Sequence, residues 1–415
     1  MTRSRAAVTI RTMRSSSGTY LTFQAARADV PDLRVTLDDD GVLREARADL
    51  DLALIALKNA ILGVEVTDAD APEIYRLLRQ IGLRQMFMIF SRPAVIRDLL
   101  GFWRSALPFA LNPSPPPPHP SPPPPLVECV GELGAMLPIE YLPLSLEPPD
   151  AVRSRADLIR ACRKIIGFSC VVRQSFVTLP VAQGSTLRPG TRGRLPVRFL
   201  HHDGLPGAEL ELAWFTGTAS EHIEVVGPYP SGLDGGPSLS DQIHDPSLSL
   251  TGAPGRTPDG IQHFACHCYA TSDKPLENEI ELSGGGRTLR LTLGELITDI
   301  AGHFNRGRRP AEMPLVVMNA CGASRISAAS SLSFPWFFLK NDNRGFVGSD
   351  IEVPDDIAAE FSTAFYTHFI LARMPLGRAF HVARNHLLAK FGNPLGISYS
   401  AYADPDLRVD LESLE

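Results

Sequence analysis

The chain has 415 residues, a net charge of −6 at pH 7 and a pI near 6.0. Hydrophobic residues make up 44% and charged residues 21%, which is ordinary for a soluble globular protein. The chain is weakly acidic and has no block of lysine and arginine, so direct binding of nucleic acid is not predicted. No uninterrupted apolar run is long enough to cross a membrane, so no membrane span is predicted.

Cysteine usage points to a reducing compartment. Six cysteines in a chain of this length are too few for a disulfide framework, and no paired CxxC motif predicts a zinc ribbon. The N-terminus is basic and serine-rich but lacks the apolar segment of a secretory signal. We therefore expect reduced thiols in a cytoplasmic protein, with at most one or two of them chemically active.

The first part of the chain predicts two strands followed by helices. Apolar and polar residues alternate in AVTIRT and TYLTF, which is typical of strands. Helical spacing of apolar residues follows in RADLDLALIALKNAILG, APEIYRLLRQIGLRQMFMIF and SRPAVIRDLLGFWRSAL. Residues 1–111 are thus predicted to form an N-terminal α/β region, with a regulatory role as one hypothesis.

Residues 112–125, NPSPPPPHPSPPPP, interrupt this pattern. Proline has a fixed φ and no backbone donor, so the segment is predicted to be an extended polyproline II stretch. It serves either as an exposed spacer or as a docking site for a proline-recognition domain. The sequence leaves both readings open.

The rest of the chain predicts an α/β fold with a mainly parallel sheet. In residues 126–194, LVECV predicts a strand, GELGAMLPIEYLPL a strand, a turn and a second strand, and RADLIRACRKII a helix. From residue 195 to 415, the strands LPVRFLHH, HIEVVGP, IQHFACH and PLVVMNAC alternate with helical segments, which is typical of βαβ units. EIELSGGGRTLRLT predicts a hairpin around a glycine turn. Two amphipathic helices are predicted near the C-terminus, DDIAAEFSTAFYTHFILAR and LGRAFHVARNHLLAKF. In the first, Ile357, Phe361, Phe365 and Phe369 recur every four residues and predict one buried face.

Two predicted strands end in residues that can carry chemistry. IQHFACH ends at His267, and PLVVMNAC ends at Cys321. Active sites in parallel sheets form at the carboxyl ends of strands, so neighbouring strands would bring these two side chains together. A thiol beside an imidazole becomes a thiolate nucleophile near neutral pH. His201 and His202 also follow a strand and could approach this edge, although most such pairs are loop residues.

Other chemistries fit the residues less well. On one continuous strand, His263 and His267 face one side while Cys266 and Cys268 face the other, so the four cannot converge on zinc. We expect Cys266 to be a core residue. The chain has no GxSxG elbow for a serine hydrolase, and SGGGRT lacks the spacing of a P-loop.

Several motifs in order resemble the CHAT domain, a caspase- and separase-like branch of the clan CD cysteine peptidases. They are HFACHC, IELSGGGRTLRLTLGELI, VVMNACGAS, GSDIEVPDDIAAEF, TAFYTHF and LGRAFHVARNHL, preceded by GELGAMLPIEYLPL. The resemblance covers roughly residues 130 to 400. It implies a caspase-like, mainly parallel sheet flanked by helices, with an associated N-terminal α/β half.

The resemblance also implies roles for individual residues. His267 corresponds to the general base and Cys321 to the nucleophile. The backbone N–H groups of Cys321 and Cys268 would form the oxyanion hole, although the family usually has glycine where this chain has Cys268. The aspartates after the nucleophile correspond to a substrate pocket for a basic P1 residue, with Asp350 and Asp356 as candidates.

Asp355 lies in the same segment but has a competing interpretation. It follows Pro354 and precedes an apolar periodic run, so it is predicted mainly to favour a helix N-terminus.

The predicted function is that of a cysteine endopeptidase that cleaves a dedicated protein substrate and needs no metal or organic cofactor. The resemblance implies activation by a partner protein or sensor and a role in bacterial antiviral defence or regulated cell death. The alternative is a catalytically inactive CHAT-like module that keeps the fold and binds a partner.

Overall fold

The structure is a computed structural model, and it describes the chain except for a set of short segments. These are residues 1–3, 17, 40, 62, 112–122, 133–135, 148–150, 180–185, 191–192, 231–236, 251–256, 271–273, 306–311, 321–322, 324–331 and 412–415. The candidate nucleophile Cys321 and most of the proline-rich segment lie outside the described residues. The chain forms two compact units, unit 1 (Met1–Thr178 and Phe380–Ser398) and unit 2 (Leu179–Ala379 and Tyr399–Glu415).

Unit 1 contains a five-stranded mixed sheet. Its strands are β1 (Val8–Ser15), β2 (Gly18–Ala25), β3 (Leu33–Thr36), β4 (Leu126–Gly131) and β5 (Val171–Phe176). They lie in the order β3-β2-β1-β4-β5, with β1, β2 and β3 antiparallel and β1, β4 and β5 parallel. The two strands predicted from alternation near the N-terminus are confirmed. The domain boundaries predicted from the sequence stay a prediction. The two compact units divide the chain at other positions, and β4 and β5, which the sequence grouped with the C-terminal region, pair in the same sheet as β1.

Helices accompany this sheet in the part of unit 1 that the structure describes. They are α1 (Val42–Ala60), α2 (Ala71–Ile89), α3 (Pro93–Ala106), α4 (Pro108–Leu111), α5 (Arg155–Cys162) and α6 (Ile166–Ser169). The buried indole of Trp103 meets the ring of Phe23 edge-on, with centroids 5.7 Å apart, which packs α3 against β2. The α/β character predicted for this half is confirmed.

The strand pair predicted in GELGAMLPIEYLPL does not form in the described residues of that segment, because β4 ends at its first residue, Gly131. Ile139–Tyr141 form a 3-10 turn instead of a strand. The carboxylate of Glu140 is buried there and accepts hydrogen bonds from the Gln174 amide at 2.8 and 3.0 Å. Pro138 and Pro143 flank the turn and cannot donate to a strand ladder, which explains why a second strand does not form.

Unit 2 contains the other strands. They are β6 (Thr186–Leu187), β7 (Leu195–His201), β8 (Ile223–Tyr229), β9 (Ile261–Ala265), β10 (His267–Tyr269), β11 (Glu279–Gly284), β12 (Arg287–Thr292), β13 (Met313–Met318), β14 (Asn343–Ser349), β15 (Tyr399–Ala403) and β16 (Arg408–Val409). The main sheet has the order β15-β14-β13-β9-β7-β8, and all its pairs are parallel except β14 with β15. A second, antiparallel sheet has the order β10-β11-β12, and β6 pairs with β16. The β11–β12 hairpin turns at Gly285 and Gly286, which both have positive φ, as the glycine-rich sequence predicted.

Helices cover both faces of the main sheet. The helices that lie wholly in unit 2 are α7 (Pro206–Thr216), α8 (Leu239–His244), α9 (Leu293–Asn305), α10 (Phe334–Lys340) and α11 (Asp355–Tyr366), within the residues that the structure describes, and a further helix, α12 (Leu376–Phe391), begins in unit 2 and ends in unit 1. Adjacent residues of β9 identify the faces, because His263 contacts Phe215 of α7 whereas Phe264 contacts Phe338 of α10. The predicted mainly parallel sheet flanked by helices is therefore confirmed.

The periodic apolar face predicted near the C-terminus is also confirmed. Ile357, Phe361, Phe365 and Phe369 are all buried, and a short π-helix, Thr367–Leu371, continues α11. Within the described part of the chain, no helix is both long and apolar enough to cross a membrane.

Replacing Gly345 with alanine should destabilise the protein. Gly345 of β14 pairs with Ala403 of β15, and a β-carbon at position 345 would overlap the β-carbon of Ala403. Gly345→Ala is expected to lower the free energy of unfolding by about 1–3 kcal/mol, as overpacking does. Urea unfolding followed by circular dichroism measures the change.

The matched control is Gly302→Ala in α9, where an added β-carbon meets no atom within 4 Å. This change should leave stability unaltered or raise it by up to about 1 kcal/mol, because alanine favours helix. Equal losses in both variants would contradict the steric argument.

Candidate active site

Four parallel strands, β7, β9, β13 and β14, end at one edge of the main sheet. The pairing of β9 with β13 is in register as far as Phe264 and Met318, and the N–H of Asn319 donates to the Phe264 carbonyl at 2.8 Å. His267 and Cys321 each follow three residues after that last pair in the sequence. Cys321 itself lies outside the described residues, while Asn319 and Ala320 before it are described and buried.

The chain changes sheet immediately before His267. Strand β9 ends at Ala265, and after Cys266 the chain forms β10, in which His267 pairs with Glu281 of β11. The prediction of one alternating strand through His267 is therefore wrong at its end. Because the chain leaves the main sheet, His263 is fully buried whereas His267 is partly exposed. Cys266 is buried, as predicted.

Aromatic and charged side chains surround the imidazole of His267. The ring of His202 meets it edge-on with centroids 4.5 Å apart, and the ring of Tyr269 stacks on it at 6.0 Å. Glu281 is its direct cross-strand neighbour. Of the two histidines after β7, His202 thus lies beside the candidate base, whereas His201 is buried with Nδ1 3.3 Å from the Tyr229 carbonyl.

The described cysteines are buried. Burial raises the pKa of the Cys170 thiol to about 12 and also raises the pKa of Cys129 and Cys162, so these thiols stay protonated at neutral pH. Cys268, the candidate oxyanion donor through its backbone, is 5% exposed in β10. Among the described residues, no three His, Cys, Asp or Glu side chains converge as metal ligands.

A buried polar cluster lies between β9 and the helices on one face of the sheet. Nδ1 of His263 is 2.9 Å from the Tyr366 hydroxyl, and Nε2 is 2.8 Å from Oε2 of Glu211 on α7. Burial, and then the charge of Glu211, raise the pKa of Tyr366. The hydroxyl therefore keeps its proton and can donate it to Nδ1.

This cluster extends to the residues just before Cys321. The Asn319 amide donates to Oε1 of Glu211 at 2.8 Å and to the Ala358 carbonyl at 3.0 Å, and its oxygen accepts from Tyr399 at 2.7 Å. The Ser349 hydroxyl donates to the Ala320 carbonyl at 3.0 Å. Side chains from three other elements thus hold the chain that leads into Cys321.

Sequence reasoning did not assign Glu211 or Asn319 to the site. The available signals were two glutamates in an otherwise apolar helical segment, ELELAWF, and an asparagine directly after a buried strand, LVVMN. Neither pattern identifies a partner, because Asn319 and Glu211 are 108 residues apart.

The candidate pocket aspartates occupy different environments. Asp350, after the end of β14, is 1% exposed and accepts from the Ser400 hydroxyl at 3.3 and 3.4 Å. Asp356 is exposed in the first turn of α11, where it accepts from the Ile357 N–H at 2.8 Å.

Asp355 also lies in the first turn of α11, but its side chain makes no capping hydrogen bond, since the N-cap is Pro354. Burial raises the pKa of the Asp355 carboxyl, and Asp356 adds to the rise, whereas the attraction of His267 opposes it. Asp355 is therefore close enough to His267 for the two side chains to interact electrostatically.

Residues 199–393 match the family model of the CHAT domain, which confirms the resemblance given by the motifs. A segment of 111 residues is 28% identical to a curated protein named as a probable protease from Vitiosangium sp.. That match covers 26% of this chain and 14% of the relative. The chain therefore spans only a small part of that protein.

Two crystal structures of the Saccharomyces cerevisiae separase–securin complex are similar to the fold. They have TM-scores of 0.45 and 0.42 and sequence identities of 9% and 10%. Each match covers 97% of this chain but 30% of the matched chain.

Removing the Asn319 amide should destabilise unit 2. Asn319→Ala leaves the Tyr399 hydroxyl and the Ala358 carbonyl without this partner in a buried site, and Glu211 loses one donor. We expect the free energy of unfolding to fall by about 1–3 kcal/mol, the cost of leaving buried polar groups unsatisfied. Urea denaturation gives the value.

Asn59→Ala, on the exposed side of α1, is the matched control and should change stability by less than about 0.5 kcal/mol. A loss at Asn319 no larger than that at Asn59 would show that the buried hydrogen bonds contribute nothing net.

Proposed function

We propose that this chain, in which residues 199–393 form a CHAT domain, is a caspase-like cysteine endopeptidase with a His267–Cys321 dyad. The observation that carries the proposal is the parallel register of β9 with β13, after which both residues follow at the same distance along the chain. Further support comes from the partial exposure of His267 at the carboxyl edge of the sheet. The relative named as a probable protease agrees with this reading.

In the proposed mechanism, His267 takes the proton of the Cys321 thiol, and the thiolate attacks the carbonyl carbon of the scissile peptide bond. The imidazolium of His267 then protonates the leaving amine as the tetrahedral intermediate collapses to a thioester. Water, activated by the neutral imidazole, hydrolyses the thioester and restores the free thiol. The residues supply every proton transfer that the reaction needs.

Backbone N–H groups of Cys321 and Cys268 would bind the oxyanion. Their contribution does not depend on the side chain, so the replacement of glycine by cysteine at position 268 keeps the donor. The Cys268 side chain is buried, which directs it away from solvent. The β-carbon restricts the backbone conformations at this position more than glycine would.

Covalent labelling tests the dyad directly. A peptide chloromethyl ketone should alkylate Cys321 in the wild-type chain, and mass spectrometry of tryptic peptides locates the adduct. Cys321→Ala should abolish labelling, and His267→Ala should slow it by about 100-fold or more, because the thiolate loses its general base. Cys170→Ala is the matched control and should label like the wild type, since its thiol is buried and protonated.

Labelling that survives Cys321→Ala, or an absence of labelling with the candidate activating proteins present, would favour the alternative of a non-catalytic interaction module.

We further propose that Asp350 and Asp356 select a basic P1 residue of the substrate. A buried carboxylate such as that of Asp350 is suited to a guanidinium, with which it forms short charge-assisted hydrogen bonds. The exposed Asp356 would add negative charge at the entrance of the pocket. Ser400 orients the carboxylate of Asp350 through its hydroxyl.

Replacing the buried carboxylate should weaken cleavage after arginine. Asp350→Asn is expected to lower kcat/KM for a P1-arginine peptide by about 10- to 100-fold, the value of a charge-assisted hydrogen bond. Asp98→Asn, on the exposed side of α3, should have no effect. A wild-type preference for acidic or aliphatic P1 residues in a peptide library would rule out this role.

The biological setting remains part of the proposal. We propose that a separate protein activates the protease, that the substrate is a dedicated protein, and that the context is bacterial antiviral defence or regulated cell death in the cytoplasm. Co-expression with the products of adjacent genes, followed by mass spectrometry of new N-termini, identifies both activator and substrate.

A further inference from the structure

The ring of His202 contacts the imidazole of His267. The two ring centroids lie 4.5 Å apart with their planes at 69°, and Tyr269 stacks on the same imidazole at 6.0 Å. Two aromatic side chains therefore contact the imidazole of His267. The dyad mechanism uses neither of them.

The ring of His202 is itself held at both nitrogen atoms. Its Nδ1 accepts a hydrogen bond from the Gly204 N–H at 3.1 Å, so in the neutral ring the proton is on Nε2. Nε2 lies 3.4 Å from Oε1 of Glu281, and Arg290 forms an ion pair with the other oxygen of that carboxylate at 2.6 Å. Three groups thus determine the orientation and the tautomer of His202.

Backbone hydrogen bonds also hold His202 in place. Its N–H donates to the Ala265 carbonyl at 2.9 Å, and a bridge joins it to Ser283 of β11. Asp203 continues this link, since its N–H donates to both the carbonyl and the hydroxyl of Ser283 at 3.1 Å. His202 therefore connects the end of β7 to β11, the strand that pairs with β10.

Gly204 packs directly against the imidazole of His202. A β-carbon at position 204 would lie 2.9 Å from Cε1 and 3.1 Å from Nδ1 of that ring. Such contacts are shorter than van der Waals distances, so any residue other than glycine would displace the ring of His202.

We propose that His202 is a positioning residue, whose ring, held by Glu281 and the Gly204 N–H, restricts the orientation of the imidazole of His267. This inference rests on the proposed role of His267 as general base. His202 acts by restricting the rotation of that imidazole, since proton transfer requires a specific orientation of the ring. Its removal should therefore affect turnover and leave substrate binding intact.

Steady-state kinetics with the peptide substrate separate positioning from binding. His202→Ala should lower kcat by about 10- to 100-fold, the typical cost of misplacing a catalytic group, with KM changed by less than about 2-fold. His202→Phe, which keeps an aromatic ring beside His267, should recover most of the lost kcat. Gly204→Ala should reproduce part of the loss while His202 is still present.

The matched control is His222→Ala, because His222 lies just before β8, at the opposite end of the parallel strands. Its kcat should equal that of the wild type. Wild-type kcat in His202→Ala, or a loss confined to KM, would overturn the proposal. Circular dichroism and thermal unfolding establish that each variant is folded.

A second measurement does not depend on protease activity. In protein labelled with ¹³Cε1-histidine, the His267 signal, assigned with His267→Asn, should broaden or shift in His202→Ala and remain close to wild type in His202→Phe. An unchanged His267 signal in His202→Ala would refute the positioning role. Absence of cleavage by the wild-type chain would instead refute the proposed function, so the two failures are distinguishable.

Discussion

The parallel pairing of β9 with β13 is the constraint on which the candidate site depends. The backbone hydrogen bonds between these strands extend to Asn319, so the segments that follow leave the same edge of the sheet. One segment leads to His267 and the other to Cys321. Because β7 and β14 are the outer parallel neighbours of this pair, they bring His202 and Asp350 to the same edge. A change in register between β9 and β13 would shift the ends of β7 and β9, which lead to His202 and His267, relative to the ends of β13 and β14.

Below this edge of the sheet lies a network of buried polar side chains. Glu211 and His263 are buried, and each would be costly in an apolar core without a partner. Their close contact and the hydrogen bonds of Asn319 connect α7, β9 and β15 to the segment before Cys321. We infer that this buried network limits the motion of the chain on which the proposed nucleophile depends.

For Asp355, burial disfavours the charged form of the carboxyl. Burial raises the pKa of its carboxyl in the folded chain above the unfolded value. The protonated carboxyl of Asp355 therefore stabilises the folded chain fully at pH values below its pKa in the unfolded chain. This stabilisation is lost as the pH rises through its pKa in the folded chain. The charge interaction with His267 acts in the other direction and lowers the pKa of the Asp355 carboxyl, but burial has the larger effect. An arrangement that costs stability at neutral pH is common at functional sites.

Much of the architecture followed from local patterns. The alternation of AVTIRT and TYLTF, the glycine turn of the β11–β12 hairpin and the four-residue period of α11 each depend on nearby residues, and each is confirmed. The second strand predicted around Glu140 is wrong because Pro138 and Pro143 flank it and cannot donate to a strand ladder. The burial of Glu140 against Gln174 depends on a partner that the local pattern does not contain. The change of sheet at Cys266 was missed for a related reason, since the residues on both sides keep the alternation of a single strand.

The sequence by itself determined the order of the strands and helices, the family resemblance and the candidate pair His267 and Cys321, because these depend on spacing along the chain. Tertiary structure alone decided that His263 is buried while His267 is partly exposed. It also decided which groups surround them. Tyr366 lies 103 residues from His263, and Glu211 lies 108 residues from Asn319. Contacts between residues so far apart in sequence form only when the helices pack on the sheet, so no local pattern could predict them.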